Sequence, residues 1–296
     1  MKLATFSPLP SGNPRPGLVI DDKRIVDIPA ALGADEDTRT MLGIIRAGAP
    51  MMQRLRELAS KPPVDSVALT EVKLHAPIPR PAKNVFCVGW NYLEHFEEGA
   101  QKLQDKRELP AHPVFFSKAP TSVIGPFDTV PFASNVSKSY DWEVELGVII
   151  GTGGKDITEA DAMRHIFGYT VINDVTVRDV QRYHGGQWHK GKSFDGTCPM
   201  GPWIVTADSI DPNALRVTCR VNGATKQDSN TRFLYFKLPR IIAELSAGMT
   251  LEAGDVISTG TPEGVGYARN PPEFMKPGDL LETEIPGIGT LRNPIG

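Results

Sequence analysis

The sequence predicts an α+β fold that is mostly β. Apolar, strand-like runs separated by turn signals dominate the chain beyond about residue 75, whereas segments with helical spacing are few and short. The 28 glycines and 26 prolines supply the many turns that short strands require. Asn222-Gly223, between two such runs, is a strong hairpin signal. These observations favour mainly antiparallel strands with scattered helices.

The first 75 residues are expected to form a small leading module. "KLATFSP" and "RPGLVIDDKRIVDIP" predict three strands with a turn at Asp21-Asp22. Residues 36–60 have helical spacing that is interrupted at Gly48-Ala49-Pro50, which predicts two short helices. Proline-rich segments flank a short strand at 72–74, so we place a domain boundary near residue 75 and predict domains 1–75 and 76–296.

Helices in the second part are predicted at three places. They are Trp90 to Glu98, Glu159 to His165, and a segment from residue 238 that ends at Gly248 as a C-cap.

Composition excludes some classes of partner and compartment. The net charge of −3 argues against nucleic acid or an anionic membrane surface as the main partner. Cys87, Cys198 and Cys219 form no CxxC and leave an odd count, so disulfides are not expected. The N-terminal segment lacks the apolar stretch of a signal peptide, and no run approaches 18 apolar residues. We therefore expect a soluble protein of the cytoplasm.

Four acids are the first candidate site. In "SYDWEVELGVII", Asp141, Glu143 and Glu145 alternate, which places them on one face of a predicted strand. Like charges this close need either water or a positive group on that face. Asp174 ends a β-branched run, where strand ends commonly display functional groups. Two strand carboxylates and a further acid form an all-oxygen set that suits Mg²⁺ or Mn²⁺, unless they only face solvent on an edge strand.

A histidine and a glutamate are the second candidate. In "VGWNYLEHFEEG", His95 and Glu98 stand at i and i+3 of a predicted helix and so within reach of each other. A carboxylate fixes the tautomer of an imidazole and raises its basicity, as a general base requires. The alternative is a surface histidine beside an incidental acid.

Further polar residues follow in order along the chain. Lys190 and Lys192 lie in a predicted glycine-flanked loop, where a lysine can stabilise enolate charge or merely face solvent. Arg178 and Gln181 share the side of Asp174 if "RDVQ" is helical. Thr261 lies in the turn "STGTPEGVG" after a strand, where amides and a hydroxyl can hold a carboxylate.

The order of these segments resembles the fumarylacetoacetate hydrolase family. The resemblance is carried by "VGWNYLEHFEE", "FFSKAPTSVIGP", "DWEVELGVIIG", "GYTVINDVTVRDVQ", "GKSFDGTCPMGPW", "VNGATKQDSNT" and "STGTPEGVG…KPGDLLETEIPGIGTLRNPI", from about residue 75 to the end. It implies a mixed β-sandwich and β-roll catalytic domain, usually a homodimer, with Mg²⁺ or Mn²⁺, or Ca²⁺, as cofactor. The first 75 residues look like the variable N-terminal domain of that family.

The resemblance also implies roles for individual residues. The metal ligands would be Glu143, Glu145 and Asp174, with Asp141 at the periphery. His95, held by Glu98, would activate water. The substrate-contacting positions would be Arg178, Gln181, Lys192, Thr261 and, more loosely, Lys118.

Two departures from the family pattern stand out. The animal-type enzyme has an additional aspartate as a metal ligand, and this sequence has no counterpart of it. In this respect the chain resembles the bacterial, acylpyruvate hydrolase-like branch, which has three carboxylates. Residues 232–236 read Arg-Phe-Leu-Tyr-Phe where relatives often carry a small polar residue and an acid followed by Met-Ile-Phe. The second departure concerns substrate or dimer contacts and not the metal site.

The leading functional expectation is hydrolytic C–C cleavage of an acylpyruvate-like 1,3-diketo acid. The cation would act as a Lewis acid, His95 would deprotonate water, and Lys192 would stabilise the leaving enolate. The alternative is decarboxylation or isomerisation of a 2-oxo acid such as oxaloacetate, or of an acid from aromatic catabolism, at the same site. A glycoside hydrolase would need carboxyls on both sides of a cleft, not on one strand face. A non-catalytic cation-binding protein is the remaining class.

Overall fold

The computed structural model describes residues 1–63, 65–103 and 108–296 and has a mixed α/β fold that is mostly β. The strands are β1 (Lys2–Pro8), β2 (Arg15–Ile20), β3 (Arg24–Asp27), β4 (Val67–Ala68), β5 (Val72–His75), β6 (Val85–Gly89), β7 (Val114–Lys118), β8 (Val123–Ile124), β9 (Tyr140–Asp141), β10 (Val144–Ile150), β11 (Ile166–Asn173), β12 (Thr176–Val177), β13 (Cys198–Thr206), β14 (Arg216–Val221), β15 (Ala224–Asn230), β16 (Val256–Ser258), β17 (Leu280–Ile285) and β18 (Gly289–Pro294).

The helices are short and lie between these strands. They are α1 (Ile28–Leu32), α2 (Met41–Arg46), α3 (Gly48–Ser60), α4 (Leu93–Leu103), α5 (Glu159–Ala162), α6 (Arg178–Tyr183), α7 (Trp188–Lys192) and α8 (Leu238–Ser246). In the described part of the chain, no helix has both the length and the apolar character needed to cross a membrane.

Most predicted helices are present, with shifted ends. The break between α2 and α3 falls at Ala47, one residue before the predicted interruption. The helix predicted from Trp90 begins only at Leu93, because Trp90 has a positive φ of 54° that a helix does not allow. The predicted loop around Lys190 and Lys192 is instead the helix α7.

A large mixed sheet forms the centre of the fold. Its strands run in the order β4-β3-β2-β1-β13-β11-β10-β16-β6-β7, with β5 paired to β1 and β8 to β13. β1 pairs with β13 through Lys2 opposite Val205 and Leu3 opposite Ile204. The first strands therefore share a sheet with the rest of the chain, and the proposed boundary near residue 75 stays a prediction.

A second, antiparallel sheet packs against the first. Its order is β15-β14-β17-β18, and one hydrophobic core contains Val217 and Leu281 from this sheet with Val144 and Val171 from the large one. The β14–β15 turn has positive φ angles at Asn222 and Gly223, which confirms the hairpin predicted from that dipeptide. The two sheets give the sandwich-like layering that the resemblance implies.

The strand β10 lies between β11 and β16 and is buried along its whole length. The simple ladder of three acids on one face of a strand is wrong, because β9 ends at Asp141 and β10 begins only at Val144. Neither side of this segment faces water, since Asp141, Glu143 and Glu145 are all less than one-tenth exposed. The acids must therefore be satisfied by protein groups or by a bound cation.

Asn91 joins three segments around the start of α4. Its Nδ2 donates hydrogen bonds to the carbonyls of Phe236 (3.2 Å) and Thr259 (2.8 Å), and its Oδ1 accepts one from the amide of Phe236 (2.7 Å). The Tyr235 amide donates to the Asn91 carbonyl at 2.8 Å. The unusual segment 232–236 is therefore anchored beside the loop that follows β16.

We expect Asn91→Ala to lower the free energy of unfolding by about 3 kcal/mol, because it leaves buried backbone groups without partners. Urea unfolding followed by fluorescence measures the change. Asn213→Ala is the matched control, since Asn213 is exposed and its side chain bonds Asp211, two residues away. A change below about 0.5 kcal/mol in Asn91→Ala would contradict this anchoring role.

Candidate metal centre and active site

Three carboxylates meet where β10 begins and β11 ends. Antiparallel pairing sets Val144 opposite Asn173, and the amide of Asp174 donates to the carbonyl of Glu143 at 2.9 Å. Oxygens of Glu143, Glu145 and Asp174 all lie within 4.8 Å of one another. The structure thus brings together the three residues predicted as metal ligands.

Buried cations surround two of these carboxylates. Lys192 Nζ lies 2.5 Å from Glu143 Oε2 and 2.8 Å from Asp174 Oδ2. Lys118 Nζ lies 2.8 Å from Asp174 Oδ1, and Arg178 Nη2 lies 2.7 Å from Glu143 Oε1. Burial alone would raise the pKa of Glu143, but the charges of Lys192 and Arg178 outweigh it and hold that pKa below its ordinary value.

Glu145 is the exception in this group. Its Oε2 accepts hydrogen bonds from the Ser258 hydroxyl (2.5 Å) and the Gly260 amide (2.8 Å), but it forms no ion pair with any described residue. Burial, followed by the charges of Asp174 and Glu143, raises the pKa of Glu145 well above its ordinary value. This carboxylate therefore lacks a positive partner.

The donor set fits a hard divalent cation. Among the groups of this centre that are less than one-tenth exposed, four carboxylates (Asp141, Glu143, Glu145 and Asp174) stand against three cations (Lys118, Arg178 and Lys192). Buried charges are expensive unless they are paired, and the surplus negative charge falls on the triad with its all-oxygen donors. Lysines and arginine fix two of the acids in place, and Glu145 is the acid whose charge a cation would balance.

The expectation that Asp141 lies at the periphery of the site is wrong. It is fully buried, and its carboxylate accepts hydrogen bonds from Arg178 Nε (2.7 Å) and from the amides of Gly266 (2.6 Å) and Tyr267 (3.1 Å). It does not belong to the triad. Asp141 instead orients Arg178, which in turn contacts Glu143. The sequence could not show this, because the partners come from residues 178 and 266–267.

His95 and Glu98 form the predicted pair on α4. His95 Nδ1 lies 2.8 Å from Glu98 Oε1, and Glu98 Oε2 accepts a hydrogen bond from the Gly264 amide at 2.9 Å. Glu98 is thus fixed at both oxygens and holds the ring through Nδ1, which leaves Nε2 to exchange a proton with a ligand. His95 is mostly buried, at 7% exposed, which argues against the surface-histidine alternative.

A pocket of about 440 Å³ is lined by His95 and by the candidate metal ligands Glu143 and Glu145. Four further residues predicted from the sequence also line it: Arg178, Gln181, Lys192 and Thr261. The Thr261 hydroxyl accepts a hydrogen bond from Gln227 Nε2 at 2.8 Å, and Gln181 Oε1 accepts one from Arg178 at 3.2 Å. Six predicted site residues therefore line one cavity together with His95. The predicted residues Glu98, Asp174 and Lys118 do not line it.

Lys118 has a different environment from the other predicted substrate-contacting residues. It is fully buried, and its ammonium donates to the carbonyls of Val175 (3.1 Å) and Lys192 and faces Asp174. Its contact with substrate stays a prediction, whereas the structure shows it fixing the position of Asp174.

Some pocket residues were missed by the sequence reasoning. Arg182, Trp188 and Tyr267 line the cavity, and Trp188 packs edge-on against Trp90 and Phe116. The sequence could have indicated Arg182, since it stands at i+4 from Arg178 and so on the same face of the predicted helix. Tyr267 carried none, because its place depends on how the segment after β16 folds back.

Comparisons with known proteins show which proteins this chain is similar to. The sequence model of the C-terminal part of fumarylacetoacetate (FAA) hydrolase matches residues 84–296. Oxaloacetate tautomerase YisK of Bacillus subtilis (strain 168) is 44% identical over 292 residues, which are 95% of each chain.

Two solved structures extend the comparison to the fold. Fumarylacetoacetate hydrolase from Exiguobacterium antarcticum has a TM-score of 0.83 and 39% identity over 100% of this chain and 99% of that one. Maleylpyruvate hydrolase from Sphingobium sp. SYK-6, in complex with manganese(II) and pyruvate, has a TM-score of 0.79 and 30% identity over 100% of this chain and 98% of that one.

We expect Mn²⁺ to stabilise the folded protein, because it balances the charge of Glu145. At about 100 times its Kd, the free energy of unfolding should rise by about 2.7 kcal/mol. Differential scanning fluorimetry should show a rise in Tm of several degrees. Glu145→Gln should abolish the rise while the metal-free Tm does not fall, since the glutamine carbonyl can still accept the hydrogen bonds of Ser258 and Gly260 and carries no charge. Glu252→Gln is the control, because Glu252 lies outside the site and is 56% exposed. An unchanged rise in Glu145→Gln would exclude Glu145 as a ligand.

The affinity for Mn²⁺ should fall as the pH falls. The pKa of Glu145 is raised above 4.5, so its carboxyl stays protonated at a pH where an ordinary glutamate is ionised, and the metal must displace that proton. Calorimetric titrations in buffers of different ionisation enthalpy should therefore show proton release on binding. An affinity that is independent of pH between about 5 and 8 would contradict the raised pKa of Glu145.

Proposed function

The chain belongs to the fumarylacetoacetate hydrolase family, and on this basis we propose that it is a divalent-metal-dependent enzyme that interconverts the enol and keto forms of oxaloacetate or a closely similar 2-oxo acid. The observation that carries the proposal is that one pocket is lined by His95, which Glu98 holds, and by two acids of the triad, Glu143 and Glu145. Tautomerisation needs a site that holds a 2-oxo acid and a group that moves a proton at C3, and these two features supply them.

The comparisons favour the alternative expectation over hydrolysis. The relative that is 44% identical over 95% of both chains is an oxaloacetate tautomerase. Hydrolysis of a C–C bond is the second candidate, since the maleylpyruvate hydrolase has the same fold at 30% identity. Both reactions pass through an enol or enolate of a 2-oxo acid, so the same residues would serve either one.

The metal would be held by Glu143, Glu145 and Asp174. Mg²⁺ or Mn²⁺ fits the oxygen donors, and the Mn²⁺ and pyruvate in the maleylpyruvate hydrolase structure support a similar arrangement here. When bound, such a cation would polarise the 2-oxo group as a Lewis acid. Lys118, which faces Asp174, and Lys192, between Glu143 and Asp174, hold these two carboxylates in position.

His95 would move the proton. Its Nδ1 is held by Glu98, so Nε2 would deliver a proton to C3 of the enol, or remove one from C3 of the keto form. Glu98 would stabilise the imidazolium that forms when the ring takes up a proton. The Gly264 amide holds Glu98 in position for this role.

Positive groups would compensate the charge that develops on the substrate oxygen. The pKa of Lys192 is raised: burial opposes its charge, but Asp174 and Glu143 outweigh that effect, so it stays an ammonium. It lines the pocket beside Glu143 and would stabilise a developing enolate at O2. Arg178, Gln181 and Thr261, on the wall of the same cavity, would orient the C1 carboxylate.

We also propose that the enzyme works in the cytoplasm as a homodimer. Free, buried cysteines at 87, 198 and 219 are consistent with a reducing compartment. The exposed aromatic side chains of Phe233 and Tyr235, in the segment that departs from the family pattern, are suited to an interface with a second copy.

The test is the rate at which the enol absorbance of oxaloacetate decays with Mg²⁺ or Mn²⁺ present. We expect catalysis by the wild-type protein and a loss of about 10²- to 10⁴-fold in kcat for His95→Gln, because the proton donor is removed. Glu98→Gln should lose less. Glu97→Gln is the matched control on the same helix, since Glu97 is exposed.

An absence of metal-dependent acceleration in the wild-type protein would refute the proposed reaction. A second assay with acylpyruvates separates the two candidates. Faster metal-dependent cleavage of an acylpyruvate than interconversion of oxaloacetate, with cleavage lost in His95→Gln, would establish the hydrolase instead.

A further inference from the structure

Arg182 is a pocket cation that the proposed mechanism does not use. It follows Arg178 by one turn of α6, and both guanidinium groups lie against the ring of Tyr267. The guanidinium carbon of Arg182 is 3.8 Å from the ring centroid and that of Arg178 is 4.4 Å from it. Tyr267 is 7% exposed and lines the same cavity.

The two arginines differ in their partners. Arg178 contacts the carboxylates of Asp141 and Glu143, each at 2.7 Å. Arg182 forms no ion pair with any residue that the structure describes, and its Nε is buried without a hydrogen-bond partner. Burial, together with the charge of Arg178, lowers the pKa of Arg182, and the contact with Tyr267 offsets this effect only in part. A buried donor left unpaired is costly, which points to a ligand that completes it.

The distances fit a short dicarboxylate. Because both guanidinium carbons are close to one ring centroid, they cannot be more than about 8 Å apart. Arg178 contacts Glu143 of the triad, so Arg182 is the neighbour of a group that reaches the candidate metal ligands. A four-carbon acid, with about 1.5 Å per C–C bond, spans about 4 Å between its end carbons and extends further with its carboxylate oxygens.

We propose that Arg182, stacked on Tyr267, forms a subsite for the second carboxylate of the substrate and so makes the enzyme select 2-oxo dicarboxylic acids over 2-oxo monocarboxylic acids. The inference rests on the proposed function, because it assumes that the 2-oxo acid end of the substrate lies at the triad. A guanidinium and a carboxylate form paired, charge-assisted hydrogen bonds, which is the interaction that Arg182 lacks.

The test is a binding measurement that needs no turnover. Malate and 2-hydroxybutyrate are a matched pair of 2-hydroxy acids, since the second carries a methyl group where malate has its C4 carboxylate. Neither has a 2-oxo group to tautomerise. Calorimetric titration of each into the Mn²⁺-loaded protein gives the ratio of the two affinities.

We expect the wild-type protein to bind malate at least about 10-fold more tightly than 2-hydroxybutyrate, as one charge-assisted interaction provides. Arg182→Gln should remove this preference through weaker malate binding, and Arg182→Lys should retain part of it. Arg164→Gln, at an arginine that is 82% exposed, is the matched control and should keep the full preference. The Tm and its Mn²⁺-induced rise confirm that each variant is folded and loaded.

Three results would overturn the subsite: equal affinities in the wild type, no binding of either acid, or an unchanged preference in Arg182→Gln. The proposed function is tested separately by the enol assay. If Arg182→Gln loses the malate preference but the wild type does not accelerate oxaloacetate interconversion, the dicarboxylate subsite stands and the proposed reaction fails.

Discussion

The unbalanced burial of Glu145 is the constraint on which the rest of the site depends. Four carboxylates and three cations are removed from water within one region, and Glu145 is the acid whose hydrogen bonds come only from neutral donors. A carboxylate in this position either takes up a proton or binds a cation. The surrounding lysines and arginine cannot provide that cation, because they are already paired with Glu143, Asp174 and Asp141.

The backbone makes this arrangement rigid. Antiparallel pairing of β10 with β11 fixes Glu143 beside Asp174, and the turn after β16 places the Gly260 amide on Glu145. Further along that same segment, the amides of residues 264, 266 and 267 hold Glu98 and Asp141. One loop therefore orients the candidate metal ligand Glu145, the partner of the histidine and the partner of Arg178, so the site is organised before any substrate binds.

Charge partners give neighbouring residues different roles. Arg178 and Arg182 share a helix face and an aromatic ring, yet one is held by two carboxylates and the other has none among the described residues. The first is fixed as part of the site, and the second is available to a ligand. The relatives show that this fold supports both tautomerisation and hydrolysis of 2-oxo acids, so groups at the edge of the pocket are the natural place for specificity.

The sequence by itself determined the mostly β fold class and the Asn222-Gly223 hairpin, because these depend on local periodicity and on a short motif. The triad acids and the His95–Glu98 pair were singled out by the order of motifs that resembles the family. Only the tertiary structure decided that Asp141 orients Arg178, that Lys118 faces Asp174, that α7 replaces a loop, and that Arg182 meets Tyr267. These contacts join residues that are far apart in the chain, and the bond from the Tyr267 amide to Asp141 spans 126 positions. Side-chain spacing reports which residues share a face of one element, but not which distant group will satisfy a buried charge, since that depends on how the elements pack.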